Sequence, residues 1–362
     1  MNEKAAPPAS PPGACSASSI ERGWNMVITG PANAARLCAG LILLLAATLG
    51  TRAADSKTYV MKISLATVGD ALHDYAKDYA TAVEKDSGGR IKPEIYPSSQ
   101  LGSIQQQAEG VQFGAIQCQI VPPEFLAGID ERFEVLTAPG LVKSIADGQR
   151  LAANPAVLKL MLDLGAAKGL HGVALFMTAR SAIVATQPIR HLGDFKGKKI
   201  RIFASQFQRV AMQRLAAIPK PMTLGEVLPA LQDNALDGAV SALTVSSPMQ
   251  FQKVAKYATE IGQPAIFSIV EVSSKWYDSL PTDLRQIIDK DAAAEAVAIN
   301  ARTTAINDQA RQAWIAGGGE LISLPPDEQS SLMKILAGVG DEVSATKPQL
   351  GAAYKIVTDA AK

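Results

Sequence analysis

Residues 194–203, with the sequence DFKGKKIRIF, place four cations beside and within an apolar strand pattern. Four interpretations are compatible with such a cluster: a phosphate-binding loop, a nucleic-acid surface, a solvated turn, or one cation that turns inward to hold an anion. A phosphate loop requires the pattern G-x-x-x-x-G-K-[ST]. Lys198 follows Gly197, but the first glycine and the hydroxyl residue are missing. The phosphate-loop interpretation is therefore rejected.

The charge balance of the chain argues against a nucleic-acid surface. The 362 residues include 35 Lys and Arg and 34 Asp and Glu, which gives a formal net charge of +1. Proteins that bind nucleic acid concentrate positive charge, because much of their affinity comes from contacts with phosphates. The sequence therefore predicts no nucleic-acid partner.

Position in the strand distinguishes Arg201 from Lys196 and Lys198. Lys196 and Lys198 belong to the turn, where solvation is expected, whereas Arg201 lies between two isoleucines near the end of the strand. Ligands of open α/β sheets bind at the carboxyl ends of strands, and arginine presents a forked, permanently charged donor to a carboxylate. Arg201 is thus a candidate anion ligand, with a surface or structural salt bridge as the alternative. Arg180, in the apolar segment LFMTARSAIV, is an equal candidate.

Motifs that would indicate catalysis are missing from the sequence. It contains no G-x-G-x-x-G, H-E-x-x-H, C-x-x-C or G-x-S-x-G pattern. The three histidines, His73, His171 and His191, fall in separate segments, and the acidic pair Asp130 and Glu131 lies in a loop pattern with nothing to desolvate it. We expect a binding protein that closes on a ligand, with no enzymatic activity, no metal and no cofactor.

The N-terminal segment predicts export. The first 25 residues are rich in Pro, Ala and Ser, and Met26 begins a segment with a basic residue, the apolar run LCAGLILLLAATLG and a small residue at Ala53. This order is typical of a signal peptide, and the apolar run is shorter than the ~20 residues that a membrane anchor needs. We therefore expect residues 1–53 to be a disordered extension and a signal peptide cleaved near Ala53, with Met1 and Met26 as alternative starts. The predicted location is the periplasm.

The elements that must position the two arginines follow an alternating α/β pattern. Residues 57–67 and 90–97 alternate as strands and are separated by a helical pattern, and a second set of strands begins near 173–186. Such alternation predicts two lobes with mainly parallel sheets. Residues 282–316 contain neither Pro nor Gly. They predict one long helix packed across both lobes, or two helices with an unmarked break.

Four segments carry a resemblance to a known family: GGRIKPEIYPSSQLG (88–102), QPIRHLGDFKGKKIRI (187–202), EVLPALQDNALDGAV (226–240) and FQKVAKYATE (251–260). In order and spacing they resemble the DctP-type solute-binding proteins of tripartite ATP-independent periplasmic (TRAP) transporters. The resemblance implies a two-lobed periplasmic-binding-protein-like α/β fold with crossover strands and a long helix spanning both lobes. We expect an N-terminal lobe of 54–177 plus about 266–305 and a C-terminal lobe of 178–265 plus about 306–362.

The resemblance also implies a function and its partners. The protein would bind an organic acid by lobe closure, as a monomer, and deliver it to a sodium-coupled permease with small and large membrane subunits. The alternative is a periplasmic sensing protein that presents a carboxylate to a signalling receptor. In that family the arginine of the KGxKIR strand, here Arg201, forms the salt bridge with the carboxylate, and an arginine about twenty residues earlier, here Arg180, assists.

Two departures from the family pattern bear on the ligand. Where the family has an acidic residue followed by Asn-Pro, this chain reads AVSA at 239–242, and Ser241 is at best a weaker hydrogen-bonding substitute. After Arg201 the family often has Pro-Asn, whereas this chain has Phe203 and Phe207. Both departures favour a weakly polar acid, aromatic or long aliphatic, over a C4-dicarboxylate or sialic acid. The alternative is that both phenylalanines belong to the core.

Candidates in the first lobe follow from the expected position of the cleft. The loop after the first strand, 67–73, and the segment 119–125 should face the hinge. His73 could donate to a ligand oxygen or cap the following helix, and Gln119 and Glu124 are further candidates.

Overall fold

Strands and helices alternate along residues 57–362, the part of the chain that the computed structural model describes. The predicted extension and signal peptide at 1–53 lie outside these residues. The strands are β1 Tyr59–Ser64, β2 Ile91–Tyr96, β3 Cys118–Val121, β4 Leu170–Arg180, β5 Ala182–Ala185, β6 Lys199–Ile202, β7 Ile218–Pro221, β8 Gly238–Ser241, β9 Tyr257–Thr259, β10 Ala265–Ser273 and β11 Glu320–Ile322.

The α-helices cover the faces of the sheets. They are α1 Ala71–Asp86, α2 Ile104–Phe113, α3 Ile145–Ala153, α4 Pro155–Asp163, α5 Gln206–Arg214, α6 Leu224–Gln232, α7 Leu243–Ser246, α8 Ser274–Asp278, α9 Thr282–Ala316, α10 Pro326–Leu336, α11 Val339–Ser344 and α12 Pro348–Ala360. Short 3₁₀ helices include Pro123–Leu126 and Glu131–Thr137. In residues 57–362, none of the helices is both long and apolar enough to cross a membrane.

The strands form two sheets, which confirms the predicted two-sheet α/β class. The first sheet has the order β2-β1-β3-β10-β4 and the second has the order β11-β9-β5-β8-β6-β7. Strands β1, β2 and β3 pair in parallel, as do β7, β6 and β8, whereas β5 and β10 pair with their neighbours antiparallel. Only Ser181 separates β4 of the first sheet from β5 of the second, and β10 returns the chain to the first sheet. These connections are the crossover strands.

Helix α9 is one continuous helix of 35 residues, so the interpretation as two helices is wrong. At 1.5 Å per residue it is about 52 Å long. Its first half buries Leu284, Ile288 and Ile299 with residues of the first sheet, and its last turns bury Ala310 and Trp314 with residues of the second sheet. The helix therefore spans both sheets, as predicted.

The C-terminal helix α12 packs on elements that precede β4. Its buried residues Leu350, Ala353 and Val357 join the cluster that contains Val157 and Met161 of α4. The helix also packs on the 3₁₀ helix Glu131–Thr137. These apolar contacts draw α12 to elements that precede β4, a placement that local sequence patterns do not encode.

Candidate ligand-binding site

A cavity lies where the carboxyl ends of β1 and β3 in the first sheet face those of β6 and β8 in the second. The space open to the centre of a water molecule is about 50 Å³. Apolar atoms form most of its wall. Its lining residues are Ala66, Thr67, Leu72, Ile104, Gln119, Ile120, Val121, Pro122, Phe125, Thr178, Arg201, Phe203, Leu224, Ser241, Ala242, Thr244, Val245 and Ile266.

Arg201 enters this cavity from β6 because strand alternation places Ile200 and Ile202 in the core on the other face. The side chain is 2% exposed. Its Nε donates to the carbonyl of Met222 at 2.9 Å, and its Nη1 donates to the carbonyl of Val240 at 3.0 Å. Among residues 57–362 no group accepts from Nη2. The two carbonyls thus fix the guanidinium plane and leave three of its five N–H bonds unused.

The charge of Arg201 has no counter-ion in the described part of the chain, where no carboxylate oxygen lies within 4.0 Å of its nitrogens. Burial lowers the pKa of Arg201 to about 9, although Glu124 and Glu226 act to raise it. The guanidinium remains charged at neutral pH. A buried charge without a partner is costly, so the site is electrostatically prepared for an anion.

Two aromatic rings cover the guanidinium. Its central carbon lies 4.4 Å from the ring centroid of Phe203 and 5.9 Å from that of Phe125. The two rings stack on each other with their centroids 5.4 Å apart. Cation–π attraction offsets part of the desolvation cost without neutralising the charge. Phe125 follows a strand of the first sheet and Phe203 a strand of the second, so this contact also joins the two sides of the cavity.

Four of the other five polar side chains of the wall are hydrogen-bonded within the protein. The pairs are Thr67 Oγ1 to Asp70 Oδ1 at 2.8 Å, Gln119 Nε2 to the Ile104 carbonyl at 3.1 Å, Thr178 Oγ1 to the Ile266 carbonyl at 2.9 Å, and Ser241 Oγ with Ser246 Oγ at 2.8 Å. The fifth, Thr244, lines the cavity with a hydroxyl that has no hydrogen-bond partner among residues 57–362. Beside this hydroxyl, Arg201 supplies the charged donors that remain open.

A family model for bacterial extracellular solute-binding proteins, family 7 (DctP), matches residues 64–347. The chain belongs to this family. The predicted DctP resemblance is therefore confirmed, and the protein is a solute-binding protein rather than an enzyme.

Relatives of known description cover most of this DctP-family chain. The C4-dicarboxylate-binding periplasmic protein DctP of Rhodobacter capsulatus is 28% identical over 274 residues, 74% of this chain and 81% of the relative. The 2,3-diketo-L-gulonate-binding periplasmic protein YiaO of Escherichia coli is 24% identical and covers 60% of this chain and 67% of the relative.

Solved structures share the fold. A TRAP periplasmic solute-binding protein from Desulfovibrio salexigens with bound orotic acid superposes with a TM-score of 0.78 at 22% identity, over 84% of this chain and 100% of that one. The sugar acid binding protein of Advenella mimigardefordensis in complex with galactonate gives 0.79 at 21% identity, over 84% and 99%. These similarities confirm the two-lobed architecture.

Four of the eight predicted site residues of this DctP-family protein line the cavity: Arg201, Phe203, Gln119 and Ser241. Phe207 does not, because it is fully buried in a hydrophobic cluster near Tyr354. His73 is also outside the lining, and its Nδ1 accepts from the backbone N–H of Gly69 at 3.0 Å. Glu124 is buried beside Phe125 without lining the cavity.

Arg180 lines a different cavity, together with Glu260, Asn307 and Arg311. A β-bulge explains the difference, because Ile266 pairs with Ala179 whereas Phe267 pairs with Met177. The extra residue, Thr178, faces the ligand cavity. After a bulge the alternation of faces shifts by one residue. Simple alternation counted along β4 therefore gives the wrong orientation for Arg180.

Sequence reasoning missed Phe125, Thr67 and Thr178 as lining residues. Phe125 and Thr67 fall in the two segments expected to face the hinge, so segment position was a usable signal for them. Thr178 had no comparable signal, because its orientation depends on the bulge.

Proposed function

We propose that this protein captures an organic acid in the periplasm, as a monomer, and delivers it to the small and large membrane subunits of a sodium-coupled TRAP permease. Its family supports extracellular solute binding. The names of its relatives support organic acids as the ligand class, including C4-dicarboxylates, orotic acid and galactonate. One observation carries the proposal for this chain: Arg201 is a buried cation with unused donors and no counter-ion among residues 57–362.

Capture then follows from the geometry of Arg201. A carboxylate accepts from the unused N–H bonds of Nη1 and Nη2 in a forked arrangement. The carbonyls of Met222 and Val240 already hold the guanidinium, so little side-chain entropy is lost on binding. The ligand supplies the missing negative charge. Closure of a lobe of 54–177 plus about 266–305 on one of 178–265 plus about 306–362 would exclude water from the pair.

The rest of the cavity favours one carboxylate on a weakly polar body. Phe125 and Phe203 form an aromatic wall, and the side chains of Thr67, Thr178 and Ser241 are hydrogen-bonded within the protein, which leaves the Thr244 hydroxyl as the open one. A second carboxylate or a row of sugar hydroxyls would therefore find too few partners, at a cost of about 1–3 kcal/mol or more for each group left unpaired. The small cavity favours compact acids, aromatic or short aliphatic, over long aliphatic chains.

A ligand screen tests this proposal. The chain from residue 54 onward is titrated in a thermal-shift assay with propionate, isovalerate, benzoate, succinate and galactonate, and dissociation constants are then measured by calorimetry. We expect propionate, isovalerate or benzoate, each with one carboxylate on an apolar body, to give the largest shift. Arg201→Lys should weaken binding about a hundredfold or more, because lysine cannot form the fork. Lys199→Ala removes an exposed cation of the same strand and serves as the matched control.

Two results would contradict the proposal: affinity unchanged in Arg201→Lys, or tighter binding of succinate and galactonate than of propionate, isovalerate and benzoate. Delivery is tested separately with the small and large membrane subunits of a TRAP permease from the same organism. In proteoliposomes, uptake of the bound acid should require both the protein and an inward sodium gradient. Uptake that proceeds equally without the gradient would exclude sodium coupling.

A further inference from the structure

The buried charges of the described residues are unbalanced. Arg201 is the only buried Lys or Arg of residues 57–362, whereas five acidic residues are buried in the same region. The five are Asp70, Glu124, Glu134, Glu271 and Asp291. Because so many carboxyl groups share so few cations, some of them must remain protonated near neutral pH.

Glu124 is the acid most closely tied to the ligand site. It lies in the 3₁₀ helix Pro123–Leu126, directly before Phe125, whose ring covers the Arg201 guanidinium. Glu124 is 2% exposed and has no ion-pair partner within 4.0 Å among residues 57–362. Arg201 and Glu134 are the charged groups that act on its carboxyl group.

The other two acids near the cavity already have partners. Glu134 Oε2 accepts from the backbone N–H of Gln206 at 2.5 Å. Asp70 Oδ1 accepts from the Thr67 hydroxyl at 2.8 Å and from the backbone N–H of His73 at 3.0 Å. Glu124 differs from them because, among residues 57–362, its carboxyl group hydrogen-bonds only with its own backbone N–H, and Arg201 is the charged group that favours its anion.

A bound carboxylate and an ionised Glu124 would compete for this single guanidinium. When two carboxyl groups share one buried cation, only one of them ionises at moderate pH. The ligand pairs directly with the unused N–H bonds of Arg201, so it has the advantage. It also adds a negative charge close to Glu124.

Building on the proposed function, we propose that binding of a carboxylate at Arg201 is coupled to the uptake of one proton by Glu124. The proton comes from solvent and adds to the Glu124 carboxylate, while the ligand binds as the anion. The complex therefore gains no net charge in its interior. Glu124 thereby sets the pH range in which the site accepts an acid.

The direction of the pH dependence follows from the groups around Glu124. Burial raises the pKa of Glu124 to about 8, its own backbone N–H and Arg201 act to lower it, and Glu134 acts to raise it. The 3₁₀ helix that carries Glu134 also carries Glu131 and Arg132, and of the other elements packed against Pro123–Leu126, α2 carries the exposed Glu109 and β10 the buried Glu271. Below about pH 7 Glu124 is already neutral and binding takes up no proton. Between about pH 7 and 9 ionised Glu124 competes, and affinity should fall about tenfold.

Calorimetry in two buffers of different ionisation enthalpy tests the coupling. The probe is whichever of propionate, isovalerate and benzoate binds most tightly, titrated in borate and in Tris at about pH 8.5 and in phosphate and in imidazole near pH 6.5. We expect uptake of between half and one proton per bound acid at the higher pH and almost none at the lower pH. Glu124→Gln should remove most of this uptake and weaken the pH dependence of the dissociation constant; the small remainder belongs to Arg201, whose pKa of about 9 leaves part of it neutral at about pH 8.5. Glu226→Gln removes the other acid that acts on Arg201 and should retain the uptake.

The outcomes are distinguishable. Binding of the probe by the unmodified protein without proton uptake at about pH 8.5 would overturn the coupling and leave the proposed function intact. Persistent uptake in Glu124→Gln would assign the proton to another group and also overturn it. Failure of every acid to bind would overturn the proposed function itself, and the coupling with it. Whether binding takes up a proton at about pH 8.5 is measured on the unmodified protein alone. The test of the coupling therefore does not depend on how the variant folds.

Discussion

The guanidinium carbon of Arg201 lies 4.4 Å from the ring centroid of Phe203, and no carboxylate of residues 57–362 lies within 4.0 Å of the guanidinium nitrogens. The protein thus buries a full positive charge against an aromatic face rather than against a counter-ion. Such an arrangement is unfavourable for folding, because cation–π attraction returns only part of the lost hydration. It is favourable for binding, because an incoming carboxylate removes the cost.

This trade between stability and binding predicts the behaviour of Arg201→Met. Methionine fills a similar volume without charge, so the ligand-free variant should be as stable as the unmodified protein or more stable, by up to about 2 kcal/mol. The variant loses the two hydrogen bonds to the carbonyls of Met222 and Val240, which limits the increase in its stability. Denaturant unfolding without ligand measures the free energy of unfolding, and calorimetry should detect no binding of a monocarboxylate. A variant that is several kcal/mol less stable would show that Arg201 is structural.

The orientation of Arg201 was predictable from the sequence, whereas that of Arg180 was not. Regular alternation in KKIRIF puts Arg201 opposite the two core isoleucines, and β6 follows that alternation without interruption. Strand β4 contains a bulge at Thr178, which depends on its register with β10. Register between strands far apart in sequence is a tertiary property. For this reason, local sequence patterns do not give the orientation of the Arg180 side chain.

Arg180 provides a direct test of this difference. The family resemblance predicts that it assists the carboxylate, whereas its side chain lies in a separate cavity with Arg311 and Glu260. From that position we expect Arg180→Ala to change the dissociation constant of a monocarboxylate by less than about threefold, compared with about a hundredfold for Arg201→Lys. Calorimetry on both variants measures their dissociation constants relative to that of the unmodified protein. A loss of more than about tenfold in Arg180→Ala would restore the role implied by the family.

The elements themselves were largely predictable, and their long-range packing was not. Ser103 caps α2, and its side chain and that of Gln106 form a capping box, as the local sequence pattern suggests. The uninterrupted segment 282–316 is one helix, because neither Pro nor Gly breaks it. The position of α12 against α4 depends instead on apolar contacts between segments nearly 200 residues apart. No spacing within either segment encodes that contact.

A glycine in β4 shows how closely the first sheet and α4 approach. A Cβ added at Gly172 would lie 2.7 Å from the Cα and 2.8 Å from the carbonyl oxygen of Leu162. Backbone atoms cannot move aside as a flexible side chain can, so Gly172→Ala should lower the free energy of unfolding by about 1–3 kcal/mol. Gly225→Ala in α6 is the matched control, because nothing lies within 4 Å of its added Cβ. Denaturant unfolding should show a lower free energy of unfolding for Gly172→Ala but not for Gly225→Ala. Equal stabilities of the two variants would contradict the close packing at Gly172.

Asp70, the N-cap of α1, should make the stability of the protein depend on pH. Burial raises the pKa of Asp70 to about 6, against its hydrogen bonds with His73 and Thr67, which lower it. The folded state therefore holds the proton more tightly than the unfolded state, where the pKa is near 4. Consequently, the contribution of Asp70 to the free energy of unfolding is most favourable below about pH 4 and becomes less favourable as the pH rises through about 6. Between these two limits the contribution falls by about 3 kcal/mol in total.

Asp70→Asn isolates this dependence, because asparagine can still accept from the backbone N–H of His73 but does not ionise near neutral pH. The free energy of unfolding of the unmodified protein, relative to this variant, should fall by about 2 kcal/mol or more between about pH 4.5 and 7.5. Asp74→Asn, one turn further along α1 and partly exposed, is the control and should show no such trend. Denaturant midpoints at the two pH values measure both differences. A constant difference between the unmodified protein and Asp70→Asn would mean that the Asp70 carboxylate is ionised in the folded state without penalty, and that its burial costs nothing at neutral pH.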